Sequence, residues 1–320
     1  MKSIEVIDGK VALHEAEMPL VGPYDILIKV KSTAVNRADL MQKKGLYPPP
    51  PGASEILGLE CSGIVDAVGE KVTSRRVGDE VCALLAGGGY AEYVACPEFQ
   101  AVPKPTNINW EEASSLPEVY ATCWLNLFIE GNLTNNNKVL FHAGASGIGT
   151  AGIQLCKAFN CESFVTAGSK EKILFCKNLG ASEGVVRGDK MFSEIQGWVS
   201  EGFDLILDPV GANYFEDNLK VLGLEGRLII IGLMGGMESK INLGHLMMKR
   251  QRIIGSTIRA RSEELKKIVM RDLYEKVWPF IESNEIKPII HEVLNISETE
   301  KAHQIMENNE NIGKIVLALD

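Results

Sequence analysis

Val139-Leu140-Phe141-His142-Ala143-Gly144-Ala145-Ser146-Gly147-Ile148-Gly149 is the stretch whose reading decides the fold. A short apolar run enters a turn with three glycines, and Ile153, Leu155, Cys156 and Phe159 then recur at helical spacing. The pattern is strand, tight loop, helix. Such a loop aims free helix N–H groups and a partial positive charge at one spot, where a phosphate binds. The spacing here is G-x-x-G-x-G, a departure from the commoner G-x-G-x-x-G, and taken alone it reads equally well as a tight turn.

The chain on the C-terminal side supplies the context. Segments 163–167, 205–209 and 227–232 are short apolar runs, and 171–179 and 214–222 between them have helical spacing. Alternation of this kind implies a parallel sheet covered on both faces, with ligands beyond the carboxyl ends of its strands. Gly168-Ser169-Lys170, Val210-Gly211 and Gly232-Leu233-Met234-Gly235-Gly236 all fall at such ends. Gly144, Ala145, Ser146, Gly147 and Ile148 therefore read as a dinucleotide site. An NAD site places an Asp or Glu about 20 residues past the glycines, at the end of the second strand. This chain has Ala167-Gly168-Ser169-Lys170-Glu171-Lys172 there. Gly168 leaves room for a 2′-phosphate, and Ser169, Lys170 and Lys172 can donate to it, so NADPH is favoured over NADH. The competing reading makes Lys170 and Lys172 a solvated face, and Glu171 stands against a phosphate unless it points to solvent.

Toward the N-terminus the pattern is different. Residues 25–35 form the longest alternating segment, and Asn36 caps a short helix through Leu40 that stops at Gly45. Tyr47-Pro48-Pro49-Pro50-Pro51-Gly52 can be neither helix nor central strand and reads as a stiff exposed loop. Segments 61–68, 80–85 and 90–96, parted by glycine turns, suggest a small, mostly antiparallel barrel. Helices are expected over 111–116 and 118–128, broken at Pro117, and over 263 to about 282. Residues 311–317 read as a last strand. The expected organisation is a nucleotide domain, 118–258, inserted into a barrel domain built from 1–117 and 259–320.

Composition narrows the classes of function. With 320 residues and 45% hydrophobic content the chain can bury two cores. A net charge of -9 disfavours nucleic-acid or membrane-surface partners, and Lys249-Arg250-Gln251-Arg252 is too short to change that and reads as a solvated face. Seven cysteines without a C-x-x-C pair indicate neither a disulfide framework nor a zinc knuckle, and reduced thiols of a cytoplasmic protein fit best. No apolar run approaches the roughly 18 residues of a membrane span.

With these pieces in place, the chain resembles the zinc-free quinone oxidoreductase branch of the medium-chain dehydrogenase/reductase superfamily. The resemblance is carried nearly end to end by Ala34-Val35-Asn36-Arg37-Ala38-Asp39, Gly45-Leu46-Tyr47-Pro48-Pro49-Pro50, Gly58-Leu59-Glu60-Cys61-Ser62-Gly63, Val77-Gly78-Asp79, His142-Ala143-Gly144, Thr166-Ala167-Gly168-Ser169, Gly232-Leu233-Met234-Gly235-Gly236 and Asn311-Ile312-Gly313-Lys314-Ile315-Val316. It implies an α/β protein with a GroES-like β-barrel domain, an inserted Rossmann dinucleotide-binding domain with NADPH in the cleft, and a homodimer joined through the nucleotide domains. The pyrophosphate would lie near Ser146, Gly147 and Ile148, and the 2′-phosphate near Gly168, Ser169 and Lys172. The nicotinamide would lie near Asn36, Thr122, Leu233 and Met234, with Val210, Gly232 and Lys314 also in the cofactor set. Related reductases carry a Tyr where this chain aligns Arg187. An arginine there could stack on adenine and pair with the phosphate, or could be an exposed loop residue. Zinc members carry a Cys at or beside Asn36 and a His in place of Leu59. Leu59 cannot bind a metal, and the four-Cys lobe is missing.

Hydride transfer needs the nicotinamide held against an acceptor in a dry pocket, and a quinone then needs little beyond hydrogen-bond donors on its oxygens. Tyr47, beside the polyproline wall, is the first such donor. Asn36 would orient the acceptor or the nicotinamide amide. Asp39 and Arg37 belong either to the site or to a buried ion pair, and His142 is expected to be structural. The small-molecule partner is a quinone or, with Tyr47 as proton donor, an activated alkene such as an enone. A third reading is a non-catalytic NADPH-binding or redox-sensing protein that holds the cofactor without turnover.

Overall fold

The computed structural model describes residues 1–7 and 9–319. In chain order, β1 (Lys2–Ile7) pairs antiparallel with β2 (Lys10–Glu15), and β3 (Asp25–Ala34) leads into α1 (Arg37–Lys43). Next come β4 (Glu60–Val68), β5 (Glu80–Leu84), β6 (Tyr93–Pro97), β7 (Ala101–Pro103), α2 (Trp110–Ser114) and α3 (Pro117–Trp124). The alternating part is β8 (Lys138–Phe141), α4 (Gly147–Ala158), β9 (Glu162–Ala167), α5 (Lys170–Leu179), β10 (Glu183–Val186), α6 (Met191–Ile195), β11 (Phe203–Asp208), α7 (Ala212–Val221), β12 (Leu222–Ile230), α8 (Leu243–Met248) and β13 (Arg252–Gly255). The chain then forms α9 (Glu263–Lys276), α10 (Trp278–Glu282), β14 (Ile290–Asn295), α11 (Thr299–Glu307) and β15 (Lys314–Ala318).

These elements divide into two compact units, one of Met1–Ala121 with Ile258–Asp320 and one of Thr122–Thr257. In the first, a sheet runs β14-β15-β3-β4-β5-β7, with β6 also paired to β3; all pairs are antiparallel except β14 with β15. Ile26, Ile28, Val30, Cys61, Val65, Val81 and Val94 fill its core. The ten-residue β3 is central because its apolar alternation lets it bury one face along its whole length.

In the second unit six parallel strands run β10-β9-β8-β11-β12-β13. The strand order reverses beside β8, between β9 and β11, which is where a doubly wound sheet opens a ligand crevice. Helix α4 can lie close on β8 because Gly152 has no Cβ; one would stand 2.3 Å from the Phe141 ring. Among the described residues no helix is long and apolar enough to cross a membrane.

Several expectations need correction. The helix over 263–282 is two helices, since Pro279 cannot donate the bond that would continue α9 through Val277. The helix expected over 118–128 begins on Pro117, which suits a first turn, and widens to a π-helix over Leu125–Ile129. Strands β10 and β13 and helices α6 and α8 had no strong periodicity. In the basic cluster, Gln251 is buried, with Nε2 donating to the Leu219 and Leu222 carbonyls, so that stretch is not simply a solvated face.

Candidate functional site

The glycine loop, which follows β8, is fixed by bonds to two other strands. His142 N–H donates to Leu207 O of β11 at 3.1 Å, and Gly144 N–H donates to Thr166 O of β9 at 2.8 Å. Gly144 must be glycine, because a Cβ would lie 2.5 Å from Cβ of Val165. Ser146 caps α4, its Oγ accepting from Gly149 N–H at 3.1 Å. The first-turn amides of Gly147 and Ile148 have no partner within the helix and present donors where a phosphate can sit. Helix α3 reaches the same place: the Cys123 thiol donates to Ile148 O at 3.3 Å, which sets the neighbouring Thr122 beside the loop. Asn126, one turn on, donates through Nδ2 to Thr122 O at 2.8 Å.

A buried polar chain supports the loop from below. His142 pairs with Thr166 Oγ1 at 3.0 Å and with Asn218 Oδ1 at 2.7 Å, and Asn218 Nδ2 donates to Asp208 at 3.1 Å. Asp208 also accepts from Val210 N–H at 2.6 Å and Gly211 N–H at 3.2 Å, which fixes the turn after β11. Burial lowers the His142 imidazole to about 4 and raises the Asp208 carboxyl to about 6. His142 is structural here, as expected. Gly235 N–H donates to Val210 O at 2.7 Å and Met234 N–H to Pro209 O at 3.2 Å. Val210, Gly232, Leu233 and Met234 are thereby gathered into one lip, on which Leu233 and Met234 are exposed.

At the end of β9 the register explains a residue that sequence placed only by analogy. Strand β10 lies parallel to β9 with Val186 opposite Ala167, so Arg187 leaves its strand beside Gly168. Arg187 N–H donates to Ala167 O at 2.9 Å, and its guanidinium lies over Gly168, where a Cβ would be 3.3 Å from Nη2. Ser169 caps α5, its Oγ accepting from Lys172 N–H at 3.2 Å, which leaves the hydroxyl proton to donate outward. Gly168, Ser169, Lys172 and Arg187 therefore share one corner, and the sheet fits a nicotinamide dinucleotide.

The barrel unit holds a second polar constellation. Glu60, fully buried, and Lys314, 4% exposed, form an ion pair at 2.7 Å. Glu60 also accepts from Asn36 Nδ2 at 2.9 Å and from Glu118 N–H, at the start of α3, at 2.9 Å. Lys314 Nζ donates further to Val35 O at 3.0 Å and to Asn36 Oδ1 at 2.5 Å. The Asn36 side chain, at the N-cap of α1, is thus held between Glu60 and Lys314. Asp39 performs the reciprocal half of the cap, accepting from Asn36 N–H at 2.7 Å. Lys314 spends its three ammonium hydrogens on these partners, so it holds Glu60 rather than reaching for a ligand.

Asp39 and Arg37 do not pair with each other. Asp39 accepts from Gly58 N–H at 3.0 Å and the Tyr90 hydroxyl at 3.2 Å, and burial pushes it up to about 6. Arg37 donates to Asn309 Oδ1 at 2.8 Å. Residues two apart on a helix face opposite sides, so these two side chains go to different neighbours. Tyr47 is half-buried, with its ring against Arg259 at 5.5 Å. Reasoning from sequence missed Arg259 altogether. Glu60 left one trace, a carboxylate opening an otherwise apolar run.

Leu59 is buried hydrocarbon. Among the described residues no three His, Cys, Asp or Glu side chains come together as a metal site. Residues at Asn36 and Leu59 do not fit a zinc ion.

Residues 22–106 match the alcohol dehydrogenase GroES-like domain, and residues 147–275 match the zinc-binding dehydrogenase family. The quinone oxidoreductase of Mus musculus is 28% identical over 94% of this chain and 91% of its own length. Among solved structures, an NAD-dependent alcohol dehydrogenase is similar at a TM-score of 0.87 and 28% identity, covering 100% of both chains. Mycobacterial Rv1454c complexed with NADPH is similar at a TM-score of 0.88 and 25% identity, covering 99% of both.

Proposed function

The chain belongs to the medium-chain dehydrogenase/reductase superfamily, and from that premise we propose that it is an NADPH-dependent reductase that delivers hydride to a quinone without a metal. The observation that carries the proposal is the donor set at Asn36, Leu59 and Glu60. A dehydrogenase that polarises an alcohol or carbonyl through zinc needs ligands there, and this chain has a committed amide, a hydrocarbon and a carboxylate already paired with Lys314. A quinone requires no Lewis acid, because its oxygens need only hydrogen-bond donors as electrons arrive. The mouse relative named quinone oxidoreductase supports this choice of acceptor.

For the cofactor, Gly168, Ser169, Lys172 and Arg187 favour a 2′-phosphate, and a solved relative complexed with NADPH supports the same choice. When bound, the cofactor supplies hydride from its nicotinamide. Gly147 and Ile148 bind the pyrophosphate through their amides, while Thr122, Leu233 and Met234 hold the nicotinamide and exclude water. Tyr47 donates to the acceptor oxygen.

The direct test is NADPH oxidation with ortho- and para-quinones. Absence of turnover on any quinone or enone at saturating NADPH would leave only a protein that holds the cofactor. Reduction of an activated alkene is the second reading, favoured by the Arg259 guanidinium against Tyr47, since a nearby cation makes a phenol a better proton donor. Tyr47→Phe separates the two. A proton-donor role predicts loss of enone reduction by about 100-fold or more, while quinone reduction should fall only severalfold. Equal losses on both substrates would rule out the distinction.

We further propose a homodimer through the nucleotide-binding units. Strand β13 is one edge of the parallel sheet, and Leu243, Met247 and Met248 of the neighbouring α8 are exposed, a combination that invites pairing with a second copy. Sedimentation should give twice the chain mass, and Met247→Glu with Leu243→Glu should give the monomer; a monomeric parent chain refutes the assembly.

A further inference from the structure

Three segments of the barrel unit meet at one buried arginine. Arg259 is 3% exposed, with Nε donating to Ala86 O at 2.7 Å, Nη2 to Gln42 Oε1 at 2.8 Å and Nη1 to Tyr47 O at 3.3 Å. Its guanidinium carbon lies 5.5 Å from the centroid of the Tyr47 ring. Gln42 extends the arrangement, since Nε2 donates to Glu55 O at 2.8 Å. The near end of the proline loop is therefore tied to Arg259 and the far end to Gln42, which is itself bonded to Arg259. Lys266 Nζ donates to Arg259 O at 2.7 Å and fixes the arginine's own backbone. The loop after β5 joins the group as well, with Gly88 N–H donating to Ile56 O at 2.7 Å.

The chemistry of these partners is specific. All three acceptors of the guanidinium are neutral, so no carboxylate cancels its charge at hydrogen-bond range. A desolvated cation over an aromatic face attracts the ring, and a positive charge near a phenol favours release of its proton. A lysine could not reproduce the arrangement, because a single ammonium on a flexible stem cannot hold three divergent carbonyl-type acceptors in a fixed plane.

We propose that Arg259, acting with Gln42, is the positioning residue for Tyr47: it fixes the ring and both ends of the proline loop, and its charge makes the Tyr47 hydroxyl a stronger donor to the acceptor oxygen. The functional half of this statement rests on the assignment of Tyr47 to the acceptor made above. The placement half does not.

The test uses the full chain with Arg259→Gln, Arg259→Lys, Gln42→Ala, Tyr47→Phe and the double variant Arg259→Gln/Tyr47→Phe. The first measurement needs no turnover. Tyrosine labelled with carbon-13 at Cζ is titrated by NMR, the Tyr47 signal being identified by its loss in Tyr47→Phe. Arg259→Gln should weaken Tyr47 ionisation by about tenfold, one pH unit, and an unchanged titration overturns the proposal. The second measurement is kinetic. Arg259→Gln and Arg259→Lys should each lower kcat/KM for the acceptor, by no more than Tyr47→Phe does on the same acceptor, with NADPH affinity within about twofold of the parent. The double variant should lose no more than Tyr47→Phe alone, because both changes act through the same hydroxyl. Additive losses, or a change in NADPH affinity matching the loss in rate, overturn it. Gln42→Ala leaves the cation in place and should raise the acceptor KM severalfold without moving the Tyr47 titration; movement of both argues against the division of labour proposed. Failure to oxidise NADPH with any quinone or enone refutes the reductase reading, and the NMR titration then still decides the placement.

Discussion

Lys314→Met is expected to destabilise the barrel unit by about 3–5 kcal/mol, the cost of leaving a buried charge without its partner. Glu60 has no exposed surface and keeps only the Asn36 amide and the Glu118 N–H once the ammonium is gone. Those two bonds offset part of the desolvation of a carboxylate, and Lys314 supplies the opposite charge at 2.7 Å. The same substitution also orphans Val35 O and Asn36 Oδ1, each of which loses a charged donor. A second change distinguishes burial of charge from lost packing. Lys314→Met combined with Glu60→Gln removes both charges while an amide still accepts from Glu118 N–H, and it should recover most of the loss. Denaturant midpoints, together with hydrogen exchange of the β3, β4 and β15 amides, report the effect locally. A single variant within about 1 kcal/mol of the parent, or a double variant less stable than the single, contradicts this account.

Gly168→Asp should reverse the cofactor preference. The backbone at Gly168 does not lie in the left-handed region, and the nearest atoms to a new Cβ are the flexible end of Arg187 at 3.3 Å, so the side chain enters without strain. Its carboxylate would pair with the guanidinium that we assign to the 2′-phosphate and would repel that phosphate directly. Losing one charge-assisted hydrogen bond is worth about 1.5–3 kcal/mol, so NADPH affinity should fall by about 10–150-fold. NADH, whose ribose hydroxyls can donate to a carboxylate, should bind as well as before or better. Fluorescence titration with each reduced cofactor measures the ratio. A ratio that moves less than about twofold would remove this corner from the 2′-phosphate site.

What could be read from the residues in order was local. The apolar run into Gly144–Gly149, the alternation of short strands and helices after it, and the glycine-punctuated strands before it depend on periodicities of two and 3.6 and on turn chemistry. These sufficed for a parallel nucleotide-binding sheet, and the motif set sufficed for the superfamily. The empty strand end at Gly168 was legible because the absence of a carboxylate is a property of a few neighbouring residues.

The partners of the charged groups were decided by tertiary structure alone. Asn36 stands at the N-cap of α1, and its amide also meets Glu60 and Lys314, 24 and 278 residues away in sequence. Arg259 meets Tyr47 from 212 residues away, across a separation that no sequence period spans. Arg187 comes to Gly168 only because β10 pairs in parallel beside β9. A side chain's neighbours along its own helix or strand follow from the backbone repeat, whereas its neighbours across elements follow from register and strand order. Sequence by itself therefore determined the sheet, its glycine loop and the missing metal ligand at Leu59. Folding decided which buried charges face each other, because that pairing is set by where distant segments come to lie and not by what either segment contains.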